Sequence, residues 1–298
     1  MRPFRTVALL LYFCGCLNAA QARPFVIGSI SHSPGQEIQL FHTLADYLSR
    51  RLPEFGFDSG KVLVAQDIAA LSERFNAGMV DLYMDGPFPS LAVNRAAGTQ
   101  IILRRWKKGT ADYGSVVVVR RDSAMSTLAE LKGRKVAFES NFSTTGYFLP
   151  LIALDEAGLT VREHRAVTSV VPPGEVGYLF THDHENTLLW VLRGRIAAGA
   201  ASTQDLARLT PQEREQLRII HQTANMPRQL VSVRKDAPPS LVARISALLI
   251  GLEHTEEGRR LLAHLENTTR FDPLTEELNW ALQPIRSYLA RTGGSGTR

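Results

Sequence analysis

NFSTTGYFLP, residues 141–150, joins an apolar strand-like run, KVAF at 135–138, to an apolar segment with helical character, YFLPLIAL at 147–154. A strand that turns into a helix through Ser, Thr and Gly presents unpaired backbone N–H groups and hydroxyls at one place. The helix dipole favours negative charge there. The stretch therefore predicts an oxyanion cradle. Its alternative is that Ser143, Thr144 or Thr145 merely N-caps the helix, and this stretch alone favours the cap.

The same alternation of apolar runs and amphipathic segments continues along the chain. FVIGSI at 25–30 indicates a buried strand, and residues 67–78 indicate a helix with Asp67 as its N-cap. After residue 121 a second series alternates KVAF, a helix, HRAVTSVV at 164–171 and the helix ENTLLWVLRG. This order predicts an α/β fold whose parallel sheets are covered on both faces, divided into two lobes.

The first 22 residues have the pattern of a cleaved signal peptide. Arg2 and Arg5 precede an apolar run at 7–17, and Ala-Gln-Ala at 20–22 suits cleavage after residue 22. That run is shorter than the ~20 residues that a membrane-spanning helix needs. Both cysteines, Cys14 and Cys16, lie in this leader, so we expect an exported chain without disulfides; lipidation of either cysteine is the less favoured alternative.

The charge of the chain excludes a nucleic-acid-binding role. The formal net charge is +5, which falls to +3 when the leader is removed, and the longest basic run is RRWKK at 104–108. We interpret this run as a solvated strand end, because a nucleic-acid surface needs more clustering of Lys and Arg. The mild positive bias suits a small anionic ligand.

Several stretches together carry a resemblance to a known family: VIGSISHSPGQ at 26–36, LADYLSRRL at 44–52, DLYMDGPFPS at 81–90, SVVVVRRDSAMSTLAELKGRKVAFES at 115–140, STTGYFLPLIALDEAGL at 143–159, HENTLLWVLRGRIAAGAAS at 184–202 and LVSVRKDAPPSL at 230–241. The chain resembles the periplasmic substrate-binding proteins of phosphate, phosphite and phosphonate ABC importers (PhnD-type). The resemblance implies a type II periplasmic-binding-protein fold, with a ligand cleft between two lobes that crossing strands join.

From the resemblance and the order of elements we predict the domain boundaries. One lobe is discontinuous and takes residues 23–118 and 223–290, and the other takes residues 119–222. Residues 1–22 form the signal peptide, and residues 291–298, ending in TGGSGTR, form a disordered tail.

The resemblance also implies a site and a function. The start of the helix after KVAF, with Ser143, Thr144, Thr145 and Gly146, would donate hydrogen bonds to an oxyanion; Tyr113 and His184 match a tyrosine and a histidine that face the ligand. The chain would capture a small phosphorus oxyanion or phosphonate in the periplasm, close around it by hinge bending and deliver it to a membrane permease. No cofactor is implied.

Some positions depart from the family pattern. Ser90 stands where an aromatic residue is common, Gly114 where histidine is frequent, and Ala197 where an acidic residue is common. The stretch PPGEVGYLFTHD at 172–183 reads as a lengthened loop that covers the cleft or contacts a partner. The second functional hypothesis is therefore a periplasmic sensor or adaptor of the same fold, which signals through this loop to a membrane histidine kinase or other receptor.

Other chemistry is less favoured. THDHE at 181–185 contains metal-ligand residue types, but no third ligand can be placed from the sequence, so no metal is predicted. Ser143 with His184 as base could suggest a hydrolase, yet the chain lacks a G-x-S-x-G elbow, and we predict that it is not an enzyme. Arg228 is a candidate additional anion clamp, for which a surface position is the favoured interpretation.

Overall fold

The computed structural model describes residues 22–293. The predicted signal peptide lies outside the described residues apart from its last residue, and so do residues 294–298 of the predicted tail. The last helix runs to Thr292, two residues into the segment predicted as tail. No helix within the described part of the chain combines the length and apolar character needed to cross a bilayer.

The described residues contain fourteen strands: β1 Arg23–Ile30, β2 Phe57–Ala65, β3 Leu82–Asp85, β4 Gln100–Arg105, β5 Asp112–Tyr113, β6 Ser115–Arg120, β7 Lys135–Phe138, β8 Thr160–Glu163, β9 Glu175–Phe180, β10 Ala198–Ser202, β11 Leu217–Gln222, β12 Met226–Pro227, β13 Gln229–Val233 and β14 Phe271–Pro273.

Eleven α-helices accompany these strands in residues 22–293: α1 Pro34–Ser49, α2 Ile68–Asn76, α3 Pro87–Ala97, α4 Leu149–Glu156, α5 His184–Leu192, α6 Thr203–Arg208, α7 Pro211–Glu215, α8 Pro239–Gly251, α9 Glu256–His264, α10 Glu276–Ala281 and α11 Gln283–Thr292. A π-helical turn, Thr144–Phe148, leads directly into α4. Asp67 caps α2 as predicted, since its side chain accepts a hydrogen bond from the Ala70 amide.

The first lobe is built on a six-stranded sheet in the order β14-β4-β13-β3-β1-β2. Its β1, β2 and β3 are parallel, as the βαβ order predicts, whereas β13 runs antiparallel to β3 and β4. Helices cover both faces, so strands such as β13 are buried along their whole length. This burial explains why their sequences read as continuous apolar runs.

The second lobe is built on another six-stranded sheet, in the order β11-β6-β10-β7-β9-β8. Strands β10, β7, β9 and β8 are mutually parallel, and β6 lies antiparallel to β10 and β11. The α/β prediction is thus confirmed, with antiparallel strands added where the chain passes between the lobes.

The chain crosses between the sheets along two short strands, β5 and β12, which pair antiparallel with each other. All of β6 pairs in the second sheet, so the predicted boundary at 118/119 falls inside a strand of that sheet. Strand β11 belongs to the second sheet and β13 to the first, which agrees with the prediction that the chain passes back to the first lobe near residue 223. The exact division into domains stays a prediction.

The expectation of a long loop at 172–183 is wrong. Residues 175–180 form β9, which lies between β7 and β8, and Val176, Tyr178 and Leu179 are buried. The preceding HRAVTSVV, expected to be a strand, lies outside the strands, and Val170 is 88% exposed. The proline pair before residue 174 cannot donate ladder hydrogen bonds, so pairing begins only after it. The sensor hypothesis therefore loses its proposed contact loop.

Candidate functional site

A cleft of about 410 Å³ lies between the two sheets and contains five of the six predicted ligand-binding residues. The sixth, Gly146, does not line the cleft but follows directly after a lining residue. The structure thus brings together side chains from the end of β5, the turn after β7 and the start of α5. The five lining residues are Tyr113, Ser143, Thr144, Thr145 and His184.

Ser143 is the N-cap of the helical turn that follows β7. Its hydroxyl oxygen accepts a hydrogen bond from the Gly146 amide at 3.0 Å. Its hydroxyl proton goes to Oε2 of Glu139 at 2.7 Å. The capping interpretation therefore holds for Ser143, whose hydroxyl donates its proton to Glu139 and accepts from Gly146.

The two residues after Ser143 leave donors available. The amides of Thr144 and Thr145 have no acceptor within residues 22–293, because they begin the helical turn. The Thr144 hydroxyl accepts a hydrogen bond from the Phe88 amide at 3.0 Å, and the Thr145 carbonyl accepts one from Ser115 at 2.6 Å. These contacts fix the turn, and its amides can serve an anion in the cleft.

Tyr113 lies beside this turn. Burial raises the pKa of its phenol, and a hydrogen bond with Thr144 opposes that rise without cancelling it. The phenol is therefore protonated at neutral pH and can donate. Gly86 allows this packing: a Cβ at that position would lie 2.6 Å from the Thr144 hydroxyl oxygen and 3.1 Å from the Tyr113 hydroxyl oxygen.

His184 is the first residue of α5, which Asp183 caps by accepting a hydrogen bond from the Asn186 amide. Its Nε2 lies 3.8 Å from Oδ1 of Asp205, another residue of the cleft lining. Among the described residues no group of three or more His, Cys, Asp or Glu side chains is arranged to hold a metal ion.

Five carboxyl groups that the sequence interpretation missed also line the cleft: Glu37, Asp85, Glu139, Asp205 and Glu266. Burial raises the pKa of Glu37, Asp85 and Glu139, and that of Asp85 reaches about 6. Asp85 accepts hydrogen bonds from the Tyr83 hydroxyl at 2.8 Å and the Gly86 amide at 2.6 Å. A signal was present, since Asp85 ends β3 and Glu139 follows β7, and ligands bind at the carboxyl ends of parallel strands.

The prediction that RRWKK is a solvated strand end is wrong for its two arginines and holds only for Lys108, which is exposed. Arg105 is fully buried, where it donates to Gln229 and pairs with Glu266. Lys107 and Lys108 line the cleft, and Lys107 pairs with Glu266 at 2.7 Å. The two arginines lie in β4, between β13 and β14, and are buried there, whereas Lys108 lies beyond the end of the strand and is exposed.

Arg228 lies in the cleft wall, and the surface interpretation is wrong for it. It follows β12, is only 8% exposed and lines the cleft. Its guanidinium donates to Oε1 of Gln204 at 2.5 Å and lies 5.1 Å from the centre of the Tyr113 ring. Its Nε is buried and has no partner in the described part of the chain. A buried cation without a carboxylate partner is costly, and an anion in the cleft would relieve that cost.

Comparisons with known proteins agree with this geometry. Two structures of XAC2383 from Xanthomonas citri, one bound to chloride ion and one to ATP, match with TM-scores of 0.83 at 28% and 27% identity. They cover 90% and 91% of this chain and 97% and 98% of theirs. PhnD1 from Prochlorococcus marinus (MIT 9301), in complex with methylphosphonate, matches with a TM-score of 0.64 at 18% identity, over 90% of this chain and 98% of its own. This last likeness shows the fold alone.

Sequence comparison leads to the same group of proteins. The phosphate-import protein PhnD of Mycolicibacterium smegmatis is 30% identical over 142 residues, which is 46% of this chain and only 43% of that relative. The family described as the periplasmic substrate-binding protein of phosphonate ABC transporters matches residues 27–278. It is a family of binding proteins, as expected for a chain that is not an enzyme. With the two-lobe fold and its cleft, this match shows that the chain belongs to the periplasmic substrate-binding proteins of phosphonate ABC transporters.

Proposed function

We propose that this chain captures a small phosphorus oxyanion or phosphonate in the cleft and delivers it to the membrane permease of an ABC importer. The observation that carries the proposal is Arg228, a buried guanidinium with an unpartnered Nε. It lines the same cleft as Thr144 and Thr145, whose amides have no protein acceptor. A charged donor and unpaired backbone donors in one cavity match the needs of an oxyanion.

Each predicted ligand-binding residue has a distinct part in this proposal. The amides of Thr144 and Thr145 and the hydroxyl of Thr145 donate to the oxyanion, and the protonated phenol of Tyr113 adds a donor from the crossing strand. His184 donates from the start of α5. Ser143 and Gly146 shape the turn through their mutual hydrogen bond. In a closed cleft with little water, each of these hydrogen bonds strengthens.

The choice of a phosphorus anion rests on the relatives. The family description names phosphonate, the M. smegmatis relative is named for phosphate import, and the P. marinus structure holds methylphosphonate. The X. citri structures hold chloride and ATP, which are also anions. An extracytoplasmic location follows from the family together with the predicted signal peptide.

A thermal-shift screen of the mature protein tests this proposal, because a ligand that binds only the folded state raises Tm. The panel is phosphate, phosphite, methylphosphonate, 2-aminoethylphosphonate and sulfate. At 100 times its Kd a ligand adds about 2.7 kcal/mol, which corresponds to roughly 5 °C for a chain of this size. We expect at least one phosphorus anion to produce a shift of this order.

The Arg228→Met variant links the shift to the site. We expect the ligand-induced shift to fall by more than half, since a hydrogen bond to a charged group contributes about 1.5–3 kcal/mol. Arg165→Met is the matched control, because the Arg165 side chain is 90% exposed. A wild-type protein that no phosphorus anion stabilises would refute the proposal, and an unchanged shift in Arg228→Met would remove Arg228 from the site.

A further inference from the structure

Glu139 lies beside the anion donors of the cleft. It directly follows β7, lines the cleft and accepts the Ser143 hydroxyl through Oε2 at 2.7 Å. The same hydroxyl oxygen caps the Gly146 amide at 3.0 Å, so the carboxyl group is one hydrogen bond away from the start of the helical turn. Its second oxygen, Oε1, has no hydrogen-bond partner in residues 22–293 and is available to the cleft.

An ionised carboxylate at this position would repel a fully ionised ligand and weaken its binding. An oxyanion held by the Thr144 and Thr145 amides would be close to Glu139, and two negative charges at short range do not both ionise readily. Burial raises the pKa of Glu139. The Ser143 hydrogen bond and the charges of His184 and Lys107 oppose this rise, whereas Asp205 adds to it. One proton shared between the ligand and Glu139 removes the conflict.

We propose that Glu139 is a specificity-determining residue that selects an oxyanion carrying its own acidic proton, such as a phosphonate or phosphate, over sulfonate and sulfate. This inference rests on the proposed function, since it assigns the ligand class of the same cleft. Oε1 accepts the P–OH proton of the ligand while the remaining oxygens receive the amide and hydroxyl donors. Ser143 holds the carboxyl group in position.

Phosphonates and sulfonates differ in whether they carry the acidic proton that Glu139 would accept. The second ionisation of a phosphate or phosphonate group lies near neutral pH, so part of its population retains a proton there. A sulfonate has no such proton and would leave Glu139 to take one from solvent. A site built to accept a hydrogen bond rejects an analogue that lacks the donor, because its own polar group is then left unpaired.

Isothermal titration with methylphosphonate and methanesulfonate, which have nearly the same shape, tests the inference at pH 6 and pH 8. We expect the wild type to prefer methylphosphonate by at least tenfold. In Glu139→Gln the side-chain amide can donate to either anion, so we expect the preference to fall at least tenfold. Glu185→Gln is the matched control, since Glu185 is exposed in the first turn of α5 and does not line the cleft.

The outcomes separate the two proposals. If the wild type binds neither phosphate nor any phosphonate, the proposed function fails. If it binds methylphosphonate but not more tightly than methanesulfonate, or if Glu139→Gln keeps the full preference, the function stands and the inference is overturned. Should Glu139→Gln fail to fold, Glu139→Asp replaces it. We expect the shorter carboxylate still to prefer methylphosphonate over methanesulfonate, but by a smaller factor. A folded Asp variant that binds phosphonate and shows no preference, or the reverse preference, would contradict the inference.

Discussion

Asp85 is a single side chain whose pKa changes when the protein folds. Its carboxyl group lies at the edge of the cleft between the Tyr83 hydroxyl and the Gly86 amide, and burial raises its pKa from 3.8 to about 6. Between these two values the native state binds more protons than the unfolded state. The free energy of unfolding therefore decreases as pH rises through this window, by up to about 3 kcal/mol.

Asp85→Asn should remove this contribution. The amide never ionises and still offers an oxygen to Gly86, so we expect the variant to be about 1–2 kcal/mol more stable than the wild type at pH 7.5. The advantage should vanish at pH 4, where Asp85 is protonated in the native protein. Urea unfolding of both proteins at pH 4, 5.5 and 7.5 measures the difference. A gap that does not change with pH would contradict a raised pKa at Asp85.

At the scale of elements, the strand–turn–helix unit from β7 to α4 combines the two interpretations that the sequence left open. Ser143 caps the turn, as a structural cap would, while the Thr144 and Thr145 amides remain unpaired, as an anion cradle requires. The cap and the cradle use different groups of the same turn, so they do not exclude each other.

Ser143→Ala separates these two parts of the unit. Loss of the cap should lower the free energy of unfolding by about 1 kcal/mol. We expect affinity for methylphosphonate to change by less than tenfold, because the contacts of Thr144 with Phe88 and of Thr145 with Ser115 still hold the turn. Urea unfolding and calorimetry measure the two effects. Thr255→Ala is the matched control, since Thr255 caps α9 by accepting a hydrogen bond from the Gly258 amide at the same 3.0 Å. Complete loss of methylphosphonate binding in Ser143→Ala would instead show that Ser143 contacts the ligand directly.

At the scale of the whole molecule, the two lobes pack against each other beside the cleft. Phe88 of α3 stacks on Phe148 with ring centroids 3.6 Å apart, and its amide donates to Thr144. Gly86 lies against Thr144 and Tyr113 in the same region. Its φ of −57° is open to any residue, so glycine is needed there for space and not for backbone conformation.

Gly86→Ala should hold the lobes apart. The added Cβ would be 2.6 Å from the Thr144 hydroxyl oxygen, a contact that requires the opposing turn to move. We expect at least a tenfold loss of phosphonate affinity and a decrease of about 1–3 kcal/mol in the free energy of unfolding, as judged by calorimetry and urea unfolding. Gly35→Ala is the control, because a Cβ at Gly35 has no neighbour within 4 Å. Wild-type affinity in Gly86→Ala would show that this approach does not govern binding.

The predictable part of the site consists of residues whose signal is local. Ser143, Thr144 and Thr145 were found because a strand, a hydroxyl-rich turn and a helix follow one another in the chain. Arg228 carried no such signal, because it reaches the cleft wall only through the pairing of β5 with β12 as the chain crosses between lobes. RRWKK was misread for the same reason, since its burial depends on β14, which is more than 160 residues away in sequence.

By itself the sequence determined the α/β alternation, the caps of helices such as α2 and the hydroxyl-rich turn, because these depend on residues within a few positions of one another. Only the tertiary structure decided that 175–180 is an interior strand and that Arg228 is a buried cation without a carboxylate partner. Burial and charge pairing depend on residues brought together across two sheets, and a one-dimensional pattern contains no record of those distances.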